Sequence, residues 1–217
     1  MYPTLRLLCT LPLVIAACRA PATTEDPAPI AAPVRPLTAI LGQRVLVAPL
    51  NHLREVDALG WTQQIPRSRE FMRAFDDAFE TELVARGLKG RWVFADALVQ
   101  AGRGSPSYAV DPYALAATPL RGEQVVADTR IGDPLATQLR TMIALQEAAR
   151  LVLIPLELRF DKLADGRGLA LLRLAVVDAR LGEVRWIGDV RSAPTSTFSR
   201  EILTNLAAHS ADLIAAP

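Results

Sequence analysis

An α/β sandwich built on a mixed sheet is the fold this sequence predicts, and three observations predict it. Two long apolar stretches, Leu151–Phe160 and Leu169–Asp178, precede an alternating segment, Glu183–Arg191, with turn residues between them. That pattern reads as an antiparallel meander. A separate apolar run, Arg44–Leu50, lies far upstream and is followed by helical periodicity, as expected of a strand joined to the sheet by a crossover. Apolar residues at helical spacing mark helices over Ser68–Arg86, from Asp133 onward, and over Phe198–Ile214. The resulting architecture is a single two-layer α/β sandwich whose mixed sheet ends in a C-terminal antiparallel meander and a closing helix.

Taken in order, the chain opens on Arg6 and an apolar run, Leu7–Ala17. The run is too short to span a bilayer as a helix, and Pro12 interrupts it, so it reads as a signal peptide over residues 1–17. Residues Ile15-Ala16-Ala17-Cys18 resemble the lipobox of bacterial lipoproteins. The resemblance implies diacylglyceryl transfer to the Cys18 sulfur, cleavage before Cys18, and acylation of the new amino group by a chain such as palmitate. Several acyl chains on one residue hold a protein on a membrane far more firmly than one, since each buried methylene contributes about 0.8 kcal/mol. Arg19, in place of the aspartate that retains such proteins at the inner membrane, implies the outer membrane. Residues 18–36 then form a tether. Pro21, Pro27, Pro29, Pro33 and Pro36 fix φ and remove donors, and an extended run of that length reaches on the order of 50 Å. The globular domain occupies residues 37–217.

In the domain, Arg44–Leu50 is read as a buried strand and Asn51–Arg67 as a long loop that leaves Trp61 at the surface. The helix over Ser68–Arg86 buries Phe71, Phe75, Ala78, Phe79 and Leu83, and Gly87 stops it with a left-handed cap. Asp76-Asp77 is expected on its solvated side. A short strand over Arg91–Phe94 and a short helix from Asp96 to Ala101 follow. A loop over Gly102–Arg130 carries Tyr108 and Tyr113, and with Trp61 these are the candidate partner surface. Its Gly102-Arg103-Gly104-Ser105-Pro106 stretch lacks the lysine and following helix of a phosphate-binding loop. Asp133 is read as the N-cap of the next helix, with Pro134 in its first turn. Alternation places Val152, Ile154, Leu156, Leu158 and Phe160 on one face of the next strand, with a bulge or edge required at Pro155. Glu157, Arg159 and Asp161 form a solvated or salt-bridged face. In the last strand Val184, Trp186 and Val190 alternate against Arg185, Asp189 and Arg191. Ser196 or Thr197 is expected to cap the closing helix, whose Ile202, Leu203, Leu206 and Leu213 face inward.

Val45–Leu50, the long helix ending at Gly87, the passage Ala148–Leu153 and the hairpin Val177–Trp186 together resemble a bacterial envelope group. That group comprises the N-terminal domain of TolB, the curli-secretion lipoprotein CsgG and the LpoB activator of peptidoglycan synthesis. The resemblance implies an α/β domain that binds proteins or assembles rather than an enzyme. A pore of the curli type is not expected, because no transmembrane hairpin pattern is present.

Composition bounds the remaining readings. The 24 basic and 23 acidic residues leave a net charge of +1, and loss of Arg6 with the signal brings it to zero. That is not the footprint of a nucleic-acid-binding protein. The two cysteines are Cys9, inside the signal, and Cys18, so thiol catalysis and a cysteine-ligated metal are not expected in the mature domain. The two histidines, His52 and His209, carry no metal-ligand spacing. Glu55, Asp57, Glu157 and Asp161 are the scattered carboxylates available for acid–base work. The favoured function is therefore an outer-membrane lipoprotein with a non-catalytic periplasmic domain, no cofactor, and an envelope protein or a second copy as partner. A small-ligand or lipid-binding domain comes second, and a hydrolase third.

Overall fold

The structure is a computed structural model, and it describes residues 36–104, 110–146 and 148–216. The signal, Cys18, nearly all of the tether and Tyr108 lie outside the described residues. Four strands form one sheet in the order β1-β2-β3-β4: β1 Val45–Val47, β2 Leu151–Lys162, β3 Gly168–Asp178 and β4 Glu183–Arg191. β1 pairs with β2 in parallel, and β2, β3 and β4 form the antiparallel meander. Among the described residues the α-helices are α1 Ser68–Ala85, α2 Ala95–Gly104, α3 Leu135–Ala144 and α4 Glu201–Asp212. The mixed sheet, meander and closing helix expected from the sequence are all present.

The sheet is covered on both faces. α1 and α4 lie on one face, where Phe71, Phe75, Phe79, Leu83, Leu203 and Leu206 pack on the strands. α3 and the irregular segment 110–131 cover the other, through Leu115, Leu120, Leu139 and Met142. Double coverage explains why β3 reads as an unbroken apolar run: every one of its residues is buried.

The phenylalanines of α1 recur every fourth residue, so they share one stripe, and Phe75 stacks on Phe79 with ring centroids 5.6 Å apart. Gly87, at φ +83°, ends the helix, with its N–H donating to the Val84 carbonyl and that of Leu88 to Leu83. This is the Schellman arrangement with its apolar contact, since Leu83 and Leu88 are both in the core. Arg86 then fastens α1 to α4: it bonds Glu82 at 2.5 Å and Asp212 at 2.7 Å, from a side chain only 5% exposed.

Several expectations are corrected. Trp61 is 4% exposed rather than at the surface. It packs against Phe160 and Phe198, which also meet Phe71. The Asp57 carboxylate folds the loop that turns Trp61 inward, accepting from the N–H groups of Leu59, Trp61 and Thr62 and from the Thr62 hydroxyl. The strand expected at Arg44–Leu50 shortens to β1, and that at Arg91–Phe94 reduces to two isolated parallel bridges, Val93 to Leu46 and Trp92 to Lys89. Helix α2 extends to Gly104, and two short 3-10 turns, Pro112–Ala114 and Thr118–Arg121, occupy part of the expected loop. Neither Ser196 nor Thr197 caps α4, whose N-cap is Arg200. Nor is Asp133 the N-cap of α3: that position falls to Pro134, and the Asp133 carboxylate, one residue earlier, accepts from the Thr137 N–H and hydroxyl.

The single-face alternation in β2 and β4 is corrected as well. The β2–β3 register shifts between Pro155 and Glu157, so the bulge expected at Pro155 is there. It divides the five apolar residues: Val152, Ile154 and Leu156 face α3, while Leu158 and Phe160 face α1 and α4. A second shift, opposite Val176/Val177, separates Val184 from Trp186 and Val190 in the same way.

Candidate functional site

Strand β1 ends at Val47, and the chain runs on beside β2 through Ala48, Pro49 and Leu50, past the flank of α1, with the Ala48 and Asn51 N–H groups donating to the Leu153 and Pro155 carbonyls. Helix α2 starts beside it because Val93 is held on β1 by two backbone bonds, to Val45 and Val47. The gap between these helices, closed at one end by Asp111-Pro112-Tyr113, is a cleft of about 830 Å³. It lies outside the carboxyl end of a parallel strand, where α/β folds commonly hold ligands. Its floor is apolar, with Val47, Pro49, Phe79 and Phe94. Its rim is charged: Asp76, Asp77, Glu80, Asp96 and Asp111 against Arg73 and Arg103.

Asp76 is not the solvated residue the sequence suggested. Its Oδ1 accepts the Leu50 N–H at 2.7 Å, fastening the exit of β1 to α1. Its Oδ2 is shielded from solvent and has no hydrogen-bond partner among the described residues. Burial pushes the carboxyl up to about 7, and the Leu50 bond only partly opposes this. Glu80 is also raised, by burial first and then by the negative charges of Asp96 and Asp77. Tyr113 is raised by burial and by Asp76, Asp96 and Asp77. The cleft therefore holds a negative field. Arg73 answers it at the mouth, its guanidinium 5.6 Å from the centre of the Tyr113 ring.

Of the expected surface aromatics, Tyr113 is at the mouth of the cleft and 37% exposed, and Trp61 is in the core. The Glu157 face is salt-bridged, as read from the sequence. Glu157, 5% exposed, pairs with Arg54 at 2.6 Å, and Arg159 reaches Asp189 at 3.2 Å. Arg173 bonds Asp189 and the Gly122 carbonyl, and Arg121 bonds Asn51. These bonds hold segment 115–122 on the sheet. His52 lies beside this network, lowered by burial and by Arg121. The Nδ1 of His209 lies 2.8 Å from the Arg191 carbonyl, so that nitrogen carries the proton and donates. The structure brings neither histidine to the cleft. Sequence reasoning missed the cleft because its carboxylates come from α1, α2 and the 110–113 segment; the one available signal was that Asp76, Asp77 and Glu80 share a helix flank. Among the described residues no group of three or more metal-ligating side chains occurs, and no helix is long and apolar enough to cross a membrane.

Comparison with models of known protein families finds no match, and comparison with curated proteins finds none either. Solved structures do show similarity. A PelC dodecamer from Paraburkholderia phytofirmans is 14% identical, with 81% of this chain and 91% of that chain covered and a TM-score of 0.36. The NMR structure of E. coli LpoB is 14% identical over 89% of this chain and 85% of that one, also at 0.36. The LpoB C-terminal domain from Salmonella enterica is 13% identical over 69% and 82%, at 0.33. At these values the similarities do not assign the chain to a family.

Proposed function

We propose that this chain is a lipid-anchored protein of the bacterial outer membrane whose periplasmic domain is a non-catalytic module that binds an envelope protein. The observation that carries the reading is Ile15-Ala16-Ala17-Cys18 at the end of an apolar run, followed by a proline-rich tether of about 50 Å reach and then a folded domain. An anchor with such reach serves a protein that must meet something away from the lipid. The titratable groups support a binding role over a catalytic one. Asp76, the carboxyl nearest to a general acid in its properties, has one oxygen bonded to Leu50 and the other closed off from solvent. A small ligand is the second reading, because a cleft of about 830 Å³ falls in the range of about 300–1,000 Å³ common for such sites.

The test is a photo-crosslinking residue in place of Tyr113, in cells, with and without Cys18→Ala. The expected result is a discrete crosslinked envelope protein that disappears when Cys18→Ala releases the domain from the membrane fraction. Retention of the Cys18→Ala protein in the outer membrane refutes the anchor. Absence of any crosslink, with a small molecule retained in native mass spectrometry, refutes protein binding in favour of the second reading.

A further inference from the structure

We propose that the cleft between α1 and α2 takes a basic, extended peptide segment of the protein partner, its guanidinium or ammonium groups seated against Asp77, Glu80 and Asp96. This rests on the protein-binding reading above and adds the chemistry of the partner. Three observations carry it.

The first is an excess of negative charge. Several carboxylates elsewhere in the domain are ion-paired: Glu82 and Asp212 share Arg86, Asp178 pairs with Arg150, and Asp189 pairs with Arg159 and Arg173. Five carboxylates line the cleft against Arg73 and Arg103, and among the described residues no cation lies within ion-pair distance of Asp77, Glu80 or Asp96, Lys89 acting on Glu80 only from farther off. The second is the floor. Phe94, Val99 and Val110, each partly exposed, offer apolar surface beside the charged rim, which suits side chains alternating in character along an extended strand. The third is Arg73 on Tyr113: the cleft mouth already holds one guanidinium against an aromatic face, the geometry an incoming arginine would use. A peptide satisfies both rim and floor, whereas an acidic or phosphorylated segment meets repulsion from the rim.

The test uses the full chain in uncharged detergent micelles and two dye-labelled heptapeptides, one alternating leucine with arginine and one alternating leucine with glutamate. Binding is read by fluorescence anisotropy at about 0.15 M salt, where long-range attraction is screened. The arginine peptide is expected to bind at least tenfold more tightly. Asp77→Asn with Glu80→Gln, both on the outer flank of α1, is expected to weaken it about tenfold. Glu55→Gln with Glu123→Gln, which removes the same charge outside the cleft, is expected to leave it unchanged. Equal binding of the two peptides overturns the inference, as does an equal loss in the two double variants. Displacement by spermine at the peptide's own affinity overturns the peptide as occupant. A crosslinked partner at Tyr113 that survives Asp77→Asn with Glu80→Gln overturns this inference and leaves the anchored-binding reading standing.

Discussion

Replacing Asp76 by asparagine should stabilise the domain, and more so as pH rises. Asparagine keeps the shape of the protonated carboxyl and an Oδ1 that accepts the Leu50 N–H, but it cannot ionise. In the folded protein burial raises Asp76 from the usual 3.8 to about 7, so the native state holds its proton more tightly than the unfolded chain does. The associated stability is fully present below pH 3.8 and is lost as pH climbs through 7. At about 1.4 kcal/mol per tenfold change in affinity, the whole span is worth about 4 kcal/mol, of which about 2–3 kcal/mol falls between pH 5 and pH 8. Urea denaturation of wild type and Asp76→Asn at pH 5, 6, 7 and 8 reads the difference directly, since all other titrating groups are common to both. The gap should widen steadily in favour of Asp76→Asn and level off above pH 7. A gap independent of pH, or one that narrows as pH rises, would refute a buried carboxyl at this position.

Three further outcomes follow from the packing. Gly168→Ala places a Cβ against Leu59 and 2.5 Å from the Trp61 ring, so both side chains must move; a loss of about 1–3 kcal/mol in urea with a shifted tryptophan emission is expected. Arg86→Lys keeps the charge but not the fork that reaches Glu82 and Asp212 together, and should cost about 1–2 kcal/mol, read as a lower thermal midpoint that high salt narrows. Asp57→Ala removes four hydrogen bonds from the loop that buries Trp61. Burial pushes this carboxyl up, but those bonds outweigh it and hold it below its usual value, so its contribution is present above about pH 4 and is lost as pH falls through the lowered value. The variant should lose about 1–2 kcal/mol at neutral pH and show a shallower acid limb in its pH–stability curve.

What was legible in the sequence was periodic and local. The helix over residues 68–85, its Gly87 stop, the three meander strands and both turn glycines, Gly166 and Gly182, each have their cause within a few neighbouring residues. What was not legible depended on distant partners. Trp61 looked exposed because its burial comes from Phe160 and Phe198, about a hundred residues or more away in sequence. Asp76 looked solvated because the feature that buries it is the exit of β1 and the neighbouring α2, not its own helix. The cleft is a product of that same juxtaposition. The strand faces failed for a different reason: strict alternation has no room for an extra residue, and Leu156 is one.

That extra residue gives the most discriminating test of the fold. In β2, Pro155 is opposite Leu174 and Glu157 is opposite Arg173, leaving Leu156 without a partner. Deleting Leu156 therefore brings Pro155 and Glu157 into consecutive register, and every other residue of the strand keeps its face. Leu158 and Phe160 stay with α1 and α4, and Glu157 and Arg159 stay on the polar seam. Strict alternation predicts the reverse, with one half of the strand inverted. Deleting Leu174 in β3 removes an equally buried leucine where no bulge absorbs the change. It forces Arg173 or Val177 onto the wrong face. Soluble yield, near-ultraviolet circular dichroism of the aromatic cluster and urea midpoints compare the two. The Leu156 deletion should fold with a loss of about 3–5 kcal/mol, the cost of one buried leucine. The Leu174 deletion should not recover native aromatic signal. If both fail alike, the bulge does not set the faces of β2, and the division of the sheet into an aromatic side and a polar-seamed side rests on some other constraint.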